Sequence, residues 1–251
     1  MQYETIARAY ERLFPPNPAC AAELRAALRG FSAPPGSAGA EPAFIDLGCA
    51  TGSLVRDVAS WGAPSLGVDP EPAMIAQARE SAAGLPLARF EVGGMEDLPR
   101  FAPPGSLALV ACLGNTVPHL GDTGALRAFF YDCFRALAPG GSLYVQVVNY
   151  APALAAGTPV ERAFPESRGE GFSFRRSWRL DGREVRFTFA FEDEKGVSTQ
   201  AIRLMPFTLG DLVAAAEAAR FEGALAASAW GGAPFIPETS EFLIMKARKP
   251  V

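Results

Sequence analysis

The stretch Phe44-Ile45-Asp46-Leu47-Gly48-Cys49-Ala50-Thr51-Gly52-Ser53-Leu54 runs from an apolar strand pattern, through an acid and a small-residue turn, into a helical pattern. Gly48 and Gly52 permit positive φ and close backbone approach, so a ligand can lie against main-chain amides at a helix N-terminus. An ordinary strand-to-helix turn needs small residues too, and the stretch alone leaves that reading open. About 20 residues on, Asp69 ends the next apolar run, where a carboxylate can accept both hydroxyl hydrogens of a ribose. In Asp69-Pro70-Glu71 the same acid is placed to cap the following helix, and one residue can serve both ends. The dinucleotide fingerprint G-x-G-x-x-G would need glycine at Ala50 and Ser53, which disfavours a nicotinamide or flavin cofactor. Farther along, Arg176 shares an alternating face with Phe172, Phe174, Trp178 and Leu180, where a charge is costly unless paired. Three readings are open for it: a clamp on a substrate carboxylate, an ion pair with Glu184 or Glu192, or a bulge that turns it to solvent.

Elements that position these residues follow from periodicity. Strands are predicted near 43–47, 65–69, 87–92, 107–113 and 142–148, with helices at about 52–61, 71–83 and 122–137, the last closed by Pro139-Gly140-Gly141. That alternation predicts a doubly wound α/β sheet. Ahead of it, Tyr3, Ile6, Ala7, Tyr10, Leu13 and Phe14 recur at helical spacing, a second helix covers 19–29, and a Pro/Gly/Ser/Ala loop covers 31–41. After Asn149 the period changes to two: the run from Phe172 and the run Val185, Phe187, Phe189, Phe191 form a hairpin about Asp181-Gly182, with a third strand at 197–204. A helix at 208–220 and strands near 222–228 and 240–247 return to the core.

Composition narrows the class. A chain of 251 residues with 49% hydrophobic residues and 18 Phe is long and apolar enough for one large core, and disorder is excluded for most of it. A net charge of −4 without a basic run gives nucleic acid no footprint. The uncharged stretches Phe101 to Gly121 and Ala136 to Val160 are broken by Pro, Gly and Asn, so no membrane span is expected. Glu4, Arg8, Glu11 and Arg12 stand where a signal peptide needs an apolar run, which points to the cytoplasm. Four scattered cysteines and one histidine make neither a zinc site nor a disulfide framework, and no metal is expected.

The spacing acid-x-Gly-x-Gly-x-Gly fits Asp46, Gly48, Ala50 and Gly52 with the middle glycine replaced by alanine, and this resembles the first motif of class I S-adenosylmethionine-dependent methyltransferases. Asp69-Pro70-Glu71-Pro72-Ala73-Met74-Ile75 looks like that family's ribose acid and adenine-flanking residues. Gly93 to Pro99 falls at its adenine-edge motif, with Gly94 where an aspartate often stands, leaving Met95 and Glu96 for the contact. Cys112 to Leu120 resembles the fourth-strand motif of small-molecule N-methyltransferases of the glycine/sarcosine methyltransferase type, and Tyr3 with Tyr10 resembles their aromatic lid helix. Leu137 to Leu143 is similar to the family's turn into the fifth strand.

The resemblance implies one methyltransferase domain over 1–251: a helical lid (1–41), a cofactor core (42–149), an antiparallel insertion (150–206) and a return to the core (207–251). Its fold would be a Rossmann-like seven-stranded sheet, mostly parallel with an antiparallel C-terminal strand, plus the inserted β layer. The cofactor would be S-adenosyl-L-methionine and its product S-adenosyl-L-homocysteine. Asp46, Gly48, Cys49, Ala50 and Gly52 would hold the methionine end, Asp69 and Pro70 the ribose, and Met74, Gly94, Met95 and Glu96 the adenine. Leu113, Gly114, Asn115 and His119 would surround the sulfonium under Tyr10, with Tyr150 and Arg176 on the acceptor side. His119 would move a proton or bind the cofactor carboxylate, and Asn115 would orient a polar group or serve as a turn residue. The expected activity is in-line methyl transfer to a small-molecule acceptor, with amine nitrogen the preferred target. The alternatives are an O-methyltransferase and a non-catalytic S-adenosylmethionine-binding protein.

Overall fold

A computed structural model describes residues 4–32, 43–169, 171–194 and 196–251. Tyr3, half of the expected aromatic pair, and most of the loop 31–41 lie outside the described residues. The chain opens with a 3₁₀ turn, Glu4–Ala9, that runs into α1 (Tyr10–Leu13), followed by α2 (Pro18–Gly30). The core then alternates β1 (Ala43–Leu47), α3 (Ser53–Ser60), β2 (Ser65–Asp69), α4 (Pro72–Ser81), β3 (Ala88–Val92), α5 (Leu98–Phe101), β4 (Leu107–Cys112), α6 (Thr123–Ala136) and β5 (Leu137–Val148). After α7 (Ala151–Ala155) come β6 (Val160–Ala163), β7 (Ser167–Gly169), β8 (Phe172–Asp181), β9 (Glu184–Asp193) and β10 (Gly196–Leu204). The chain closes with α8 (Leu209–Ala218), β11 (Glu222–Ala229), β12 (Ala233–Pro234) and β13 (Phe242–Arg248).

The main sheet has the order β12-β11-β13-β5-β4-β1-β2-β3. β1 to β5 are parallel, while β13 runs antiparallel to β5 and β11 antiparallel to β13. Seven strands match the sequence expectation; the eighth, β12, is a two-residue edge pairing too short to leave a period in the sequence. β4 is buried at every position between β1 and β5, which is why it reads as an unbroken apolar run rather than an alternation. Strand order reverses between β1 and β4, and the crevice beyond the carboxyl ends of such a pair is where a doubly wound sheet takes its ligand.

The insertion forms a second sheet, β10-β9-β8-β6, with β7 also on β8. Its greasy face meets the rest of the protein in two places. Phe174, Phe189 and Phe191 pack with Ile6, Leu13, Ala50 and Met74, so the N-terminal segment is sandwiched between the insertion and the core. Trp178, Leu180 and Val185 pack with Val148, Tyr150 and Ala153. Of the expected lid, only the part up to Phe14 is in this sandwich. α2 instead buries Cys20, Leu24 and Leu28 against Phe44, Val55 and Val58, as a helix layered on the sheet. Its start is fixed by Asn17, whose side chain accepts from the N–H groups of Ala19 and Cys20.

Candidate active site

The chain turns from β1 into α3 through three left-handed residues, Gly48 (φ +80°), Ala50 (+49°) and Gly52 (+76°). The two glycines are needed for different reasons. A Cβ on residue 48 would meet the Thr116 side chain at 2.5 Å, so this glycine lets the turn lean on the loop after β4. A Cβ on residue 52 would run into the Phe90 ring, so Gly52 serves close packing of α3 on the sheet and not approach of a ligand. Ala50 holds a conformation that costs an L-residue energy, and its N–H is pinned by a 2.9 Å hydrogen bond to Asp69 Oδ2. The other carboxylate oxygen of Asp69 accepts from Glu71 N–H at 2.9 Å, immediately before α4. Asp69 thus ties the turn to the residue that precedes α4, and it lines the crevice.

That crevice is a cavity of about 300 Å³. Tyr10, Gly48 and Ala50 form one side, and Asp69, Pro70 and Met74 the next. Gly94, Met95 and Glu96 enclose the far end, and Gly114, Asn115 and His119 the end nearest the insertion. Thr116 and Leu120 complete the wall; both lie inside the recognised stretch after β4, but no residue-type signal set them apart. At position 94 a side chain would collide with the carboxylate of Glu96, so that carboxylate already fills the space an acid at 94 would use.

Six predicted site residues are not in the cavity wall. Asp46 is buried behind the turn at 5% exposure. Burial, reinforced by the neighbouring Asp69 carboxylate, pushes its carboxyl up from 3.8 to about 7. Cys49 is a buried thiol whose pKa burial raises, and Gly52 faces Phe90. Leu113 packs toward the α2–α3 side of the sheet. Tyr150 is fully buried, with its hydroxyl accepting from Asn115 Nδ2 at 3.4 Å and burial pushing its pKa up to about 12. Arg176 stands behind the lid, and its guanidinium carbon is 4.9 Å from the centre of the Phe14 ring.

Asn115 is a left-handed residue (φ +69°) whose Oδ1 accepts from Val148 N–H at 2.9 Å. With the bond to Tyr150, its side chain braces the loop after β4 against β5 while its residue lines the cavity. His119 ends the short 3₁₀ turn Val117–His119 and opens into the cavity. The protein packed around it disfavours the imidazolium and lowers its pKa below the ordinary 6.5, so the ring is neutral at pH 7. One contact that no sequence pattern announced holds the lid down. Glu11 Oε1 accepts from Thr51 Oγ1 at 3.0 Å and from Arg56 Nη2 at 2.6 Å, linking the segment that carries Tyr10 to the turn that carries Ala50.

Residues 44–141 match a protein family described as a methyltransferase domain. Among curated relatives, the ubiquinone biosynthesis O-methyltransferase of Xanthomonas euvesicatoria pv. vesicatoria (strain 85-10) is 32% identical over 112 residues, which is 43% of this chain. The match spans 44% of that relative's length. Solved structures match over nearly the whole chain. The CcbJ methyltransferase from Streptomyces caelestis is 21% identical with a TM-score of 0.77, covering 98% of this chain and 96% of its own. The S-adenosylmethionine-bound amino pentose methyltransferase CalS10 from Micromonospora echinaspora is 24% identical with a TM-score of 0.66, covering 97% of each. An S-adenosylmethionine-dependent methyltransferase from Clostridium acetobutylicum ATCC 824 is 13% identical with a TM-score of 0.78 over both full chains.

Proposed function

We propose, from the premise that this chain has the class I methyltransferase fold with a methyltransferase domain match over its cofactor core, that it is an S-adenosylmethionine-dependent methyltransferase of a small-molecule acceptor. The observation that carries the proposal is the cavity at the strand-order reversal, where a left-handed turn, the Asp69 carboxylate, two methionines and an aromatic lid converge. These residues fit the cofactor. Asp69 retains lone pairs for ribose hydroxyls, Met74 and Met95 offer apolar faces to adenine, and Glu96 supplies near position 94 the carboxylate that accepts from the exocyclic amine. Gly48 and Ala50, which line the cavity with the Asp46 carboxyl buried behind them, would face the methionine end. When bound, S-adenosyl-L-methionine supplies an electrophilic methyl group on a sulfonium.

The chain's own part is orientation, exclusion of water and one proton. Tyr10 and the segment latched by Glu11 close the cavity, and a closed near-attack arrangement can supply about 7 to 11 kcal/mol of barrier reduction without any covalent intermediate. Asn115 is a positioning residue that fixes the loop bearing His119. His119, neutral and open to the cavity, accepts at an imidazole nitrogen the proton of an acceptor ammonium, leaving a nitrogen lone pair. The whole-chain likeness to the sugar N-methyltransferase KedS8 from Streptoalloteichus sp ATCC 53650 supports nitrogen as the target. Oxygen is the second reading, favoured by the name of the curated relatives that share the core.

A thermal-shift panel tests the cofactor: S-adenosyl-L-homocysteine is expected to stabilise the protein and NAD is not, and the reverse result refutes the proposal. His119→Gln then separates the targets. With an amine acceptor, kcat/KM falls at neutral pH and recovers at high pH as the free amine becomes abundant, whereas a hydroxyl acceptor loses turnover throughout. Cofactor binding with no turnover of any acceptor would instead identify a binding protein.

A further inference from the structure

A strand at the edge of a sheet leaves backbone N–H and C=O groups unpaired, and natural sheets guard such edges with charge, proline, bulges or brevity. Among the described residues the two sheets of this chain have four edges, and three of them are guarded. On β3, Arg89 and Glu91 are exposed, and Arg79 of α4 donates from Nη2 to Phe90 O at 2.6 Å. At the other edge of the main sheet, β12 covers the end of β11 with two residues, the second of them Pro234. The uncovered part of β11 is kinked by a register shift around the left-handed Gly223. In the insertion, the outer side of β8 is shared by β6 and β7, four and three residues long, and Arg162 of β6 is tied to Glu241 at 2.9 Å.

β10 has none of these guards. It is nine residues long, pairs with β9 alone, and carries no charge and no proline from Gly196 to Ile202. Val197, Thr199 and Ala201 are exposed, and valine, threonine and isoleucine are residue types that favour strands. Every second residue of an antiparallel strand turns its N–H and C=O away from its partner. Among the described residues no backbone bond joins this run to anything but β9.

The charges at the two ends of β10 decide what fits beside it. The sequence entering the strand, Asp193-Glu194-Lys195, is net negative, and Arg203, bonded to Glu184 yet with its side chain 77% exposed, stands near the close. A second copy laid antiparallel brings each Arg203 to the end where the other copy carries its acidic entry, and the uncharged middle meets itself. A parallel copy would set like charges together. The strand therefore matches itself about a twofold axis, the symmetry of most soluble homodimers.

We propose that two copies of this chain join by antiparallel pairing of their β10 strands, so that their insertion sheets become one continuous sheet. The pairing reaches the cavity. β10 passes directly into Met205, whose N–H donates to Pro118 O at 2.8 Å, next to the cavity-lining His119. The dimer does not depend on which reaction the cavity carries out.

The test is sedimentation velocity and light scattering of the full chain over a dilution series. A species of twice the chain's 26.5 kDa is expected. Val197→Lys combined with Ala201→Lys is expected to weaken dimerisation by about tenfold or more, as like charges placed opposite in a strand pair do, with the far-ultraviolet circular dichroism unchanged. Arg203→Glu is expected to weaken it too, and adding Glu194→Arg to restore it. Chains that keep the single-chain mass at every concentration overturn the proposal, and the edge then belongs to an extended segment of another protein. A dimer that neither the lysine pair nor Arg203→Glu weakens overturns it as well, because another surface then joins the copies. Where the lysine pair disturbs the fold, the exchange at the exposed positions 194 and 203 decides, and failure of Glu194→Arg to restore the dimer refutes the antiparallel pairing.

Discussion

Asp46→Asn tests the electrostatics of the turn most directly. In the cofactor-free protein the Asp46 carboxyl has its pKa pushed from 3.8 to about 7, with burial the larger cause and Asp69 the smaller. A group whose pKa is raised on folding stabilises the fold fully below its unfolded pKa and loses that contribution as pH rises to the folded value. The span of about 3 pH units, at about 1.4 kcal/mol each, makes this loss about 4 kcal/mol, complete above about pH 7. Asparagine keeps the shape without the proton. Urea unfolding of the empty protein from pH 4.5 to 8.5 should therefore show wild-type stability falling relative to Asp46→Asn by about 3 kcal/mol, the remainder being lost below that range, with the two curves parallel above about pH 7. The cofactor's positive charges reverse the preference at Asp46. Affinity of the wild type for S-adenosyl-L-methionine should rise by up to about tenfold per pH unit until about pH 7 and then level off, while the variant binds more weakly at pH 8 and shows no such rise. Stability curves that run parallel over the whole range, within about 1 kcal/mol, would falsify the assignment of the raised proton affinity to Asp46.

Two further changes probe the packing around the same turn. Gly52→Ala adds a Cβ against Phe90 at φ +76°, and the overpacking and the left-handed backbone together should cost about 2 to 5 kcal/mol in urea unfolding. Gly62→Ala, at φ +90° with open space around it, should cost only the backbone part, and equal losses at the two sites would contradict the role given to Phe90. Glu11→Ala removes a half-exposed pair and should change stability by no more than about 1 kcal/mol, yet S-adenosyl-L-homocysteine should leave several-fold faster in stopped flow. An unchanged release rate would mean that the lid is held by its apolar contacts alone.

β1 and β2 were legible because each is an apolar run ended by an acid, and β8 and β9 because their alternation is clean. β6 and β7 were not. Their residues, Val-Glu-Arg-Ala and Ser-Arg-Gly, are mostly exposed and lie against one strand only, so nothing in them alternates. Pro139-Gly140-Gly141 read as a helix stop and does follow α6, but β5 already begins at Leu137 and absorbs the three residues through a register shift against β4. The lid read as one helix because 3- and 4-residue spacings look alike over so short a run, whereas its first half is 3₁₀. Within the site, the turn and Asp69 were legible as types at a spacing. The partners that give Arg176 its character, Phe14 and Phe164, come from segments distant in sequence, and only the folded chain brings them together.

The insertion leaves the core at the end of β5 and comes back as one uninterrupted piece, where Met205 N–H donates to Pro118 O at 2.8 Å, beside His119. The 44–141 block that matches the methyltransferase domain ends before it begins. The cavity wall from Gly48 to Leu120 and the strands β6–β10 therefore lie on separate stretches of chain, so a change to the second leaves the sequence of the first untouched. Grafting that segment between relatives, with both its junctions preserved, is the route by which such a protein would acquire a new substrate without relearning its cofactor.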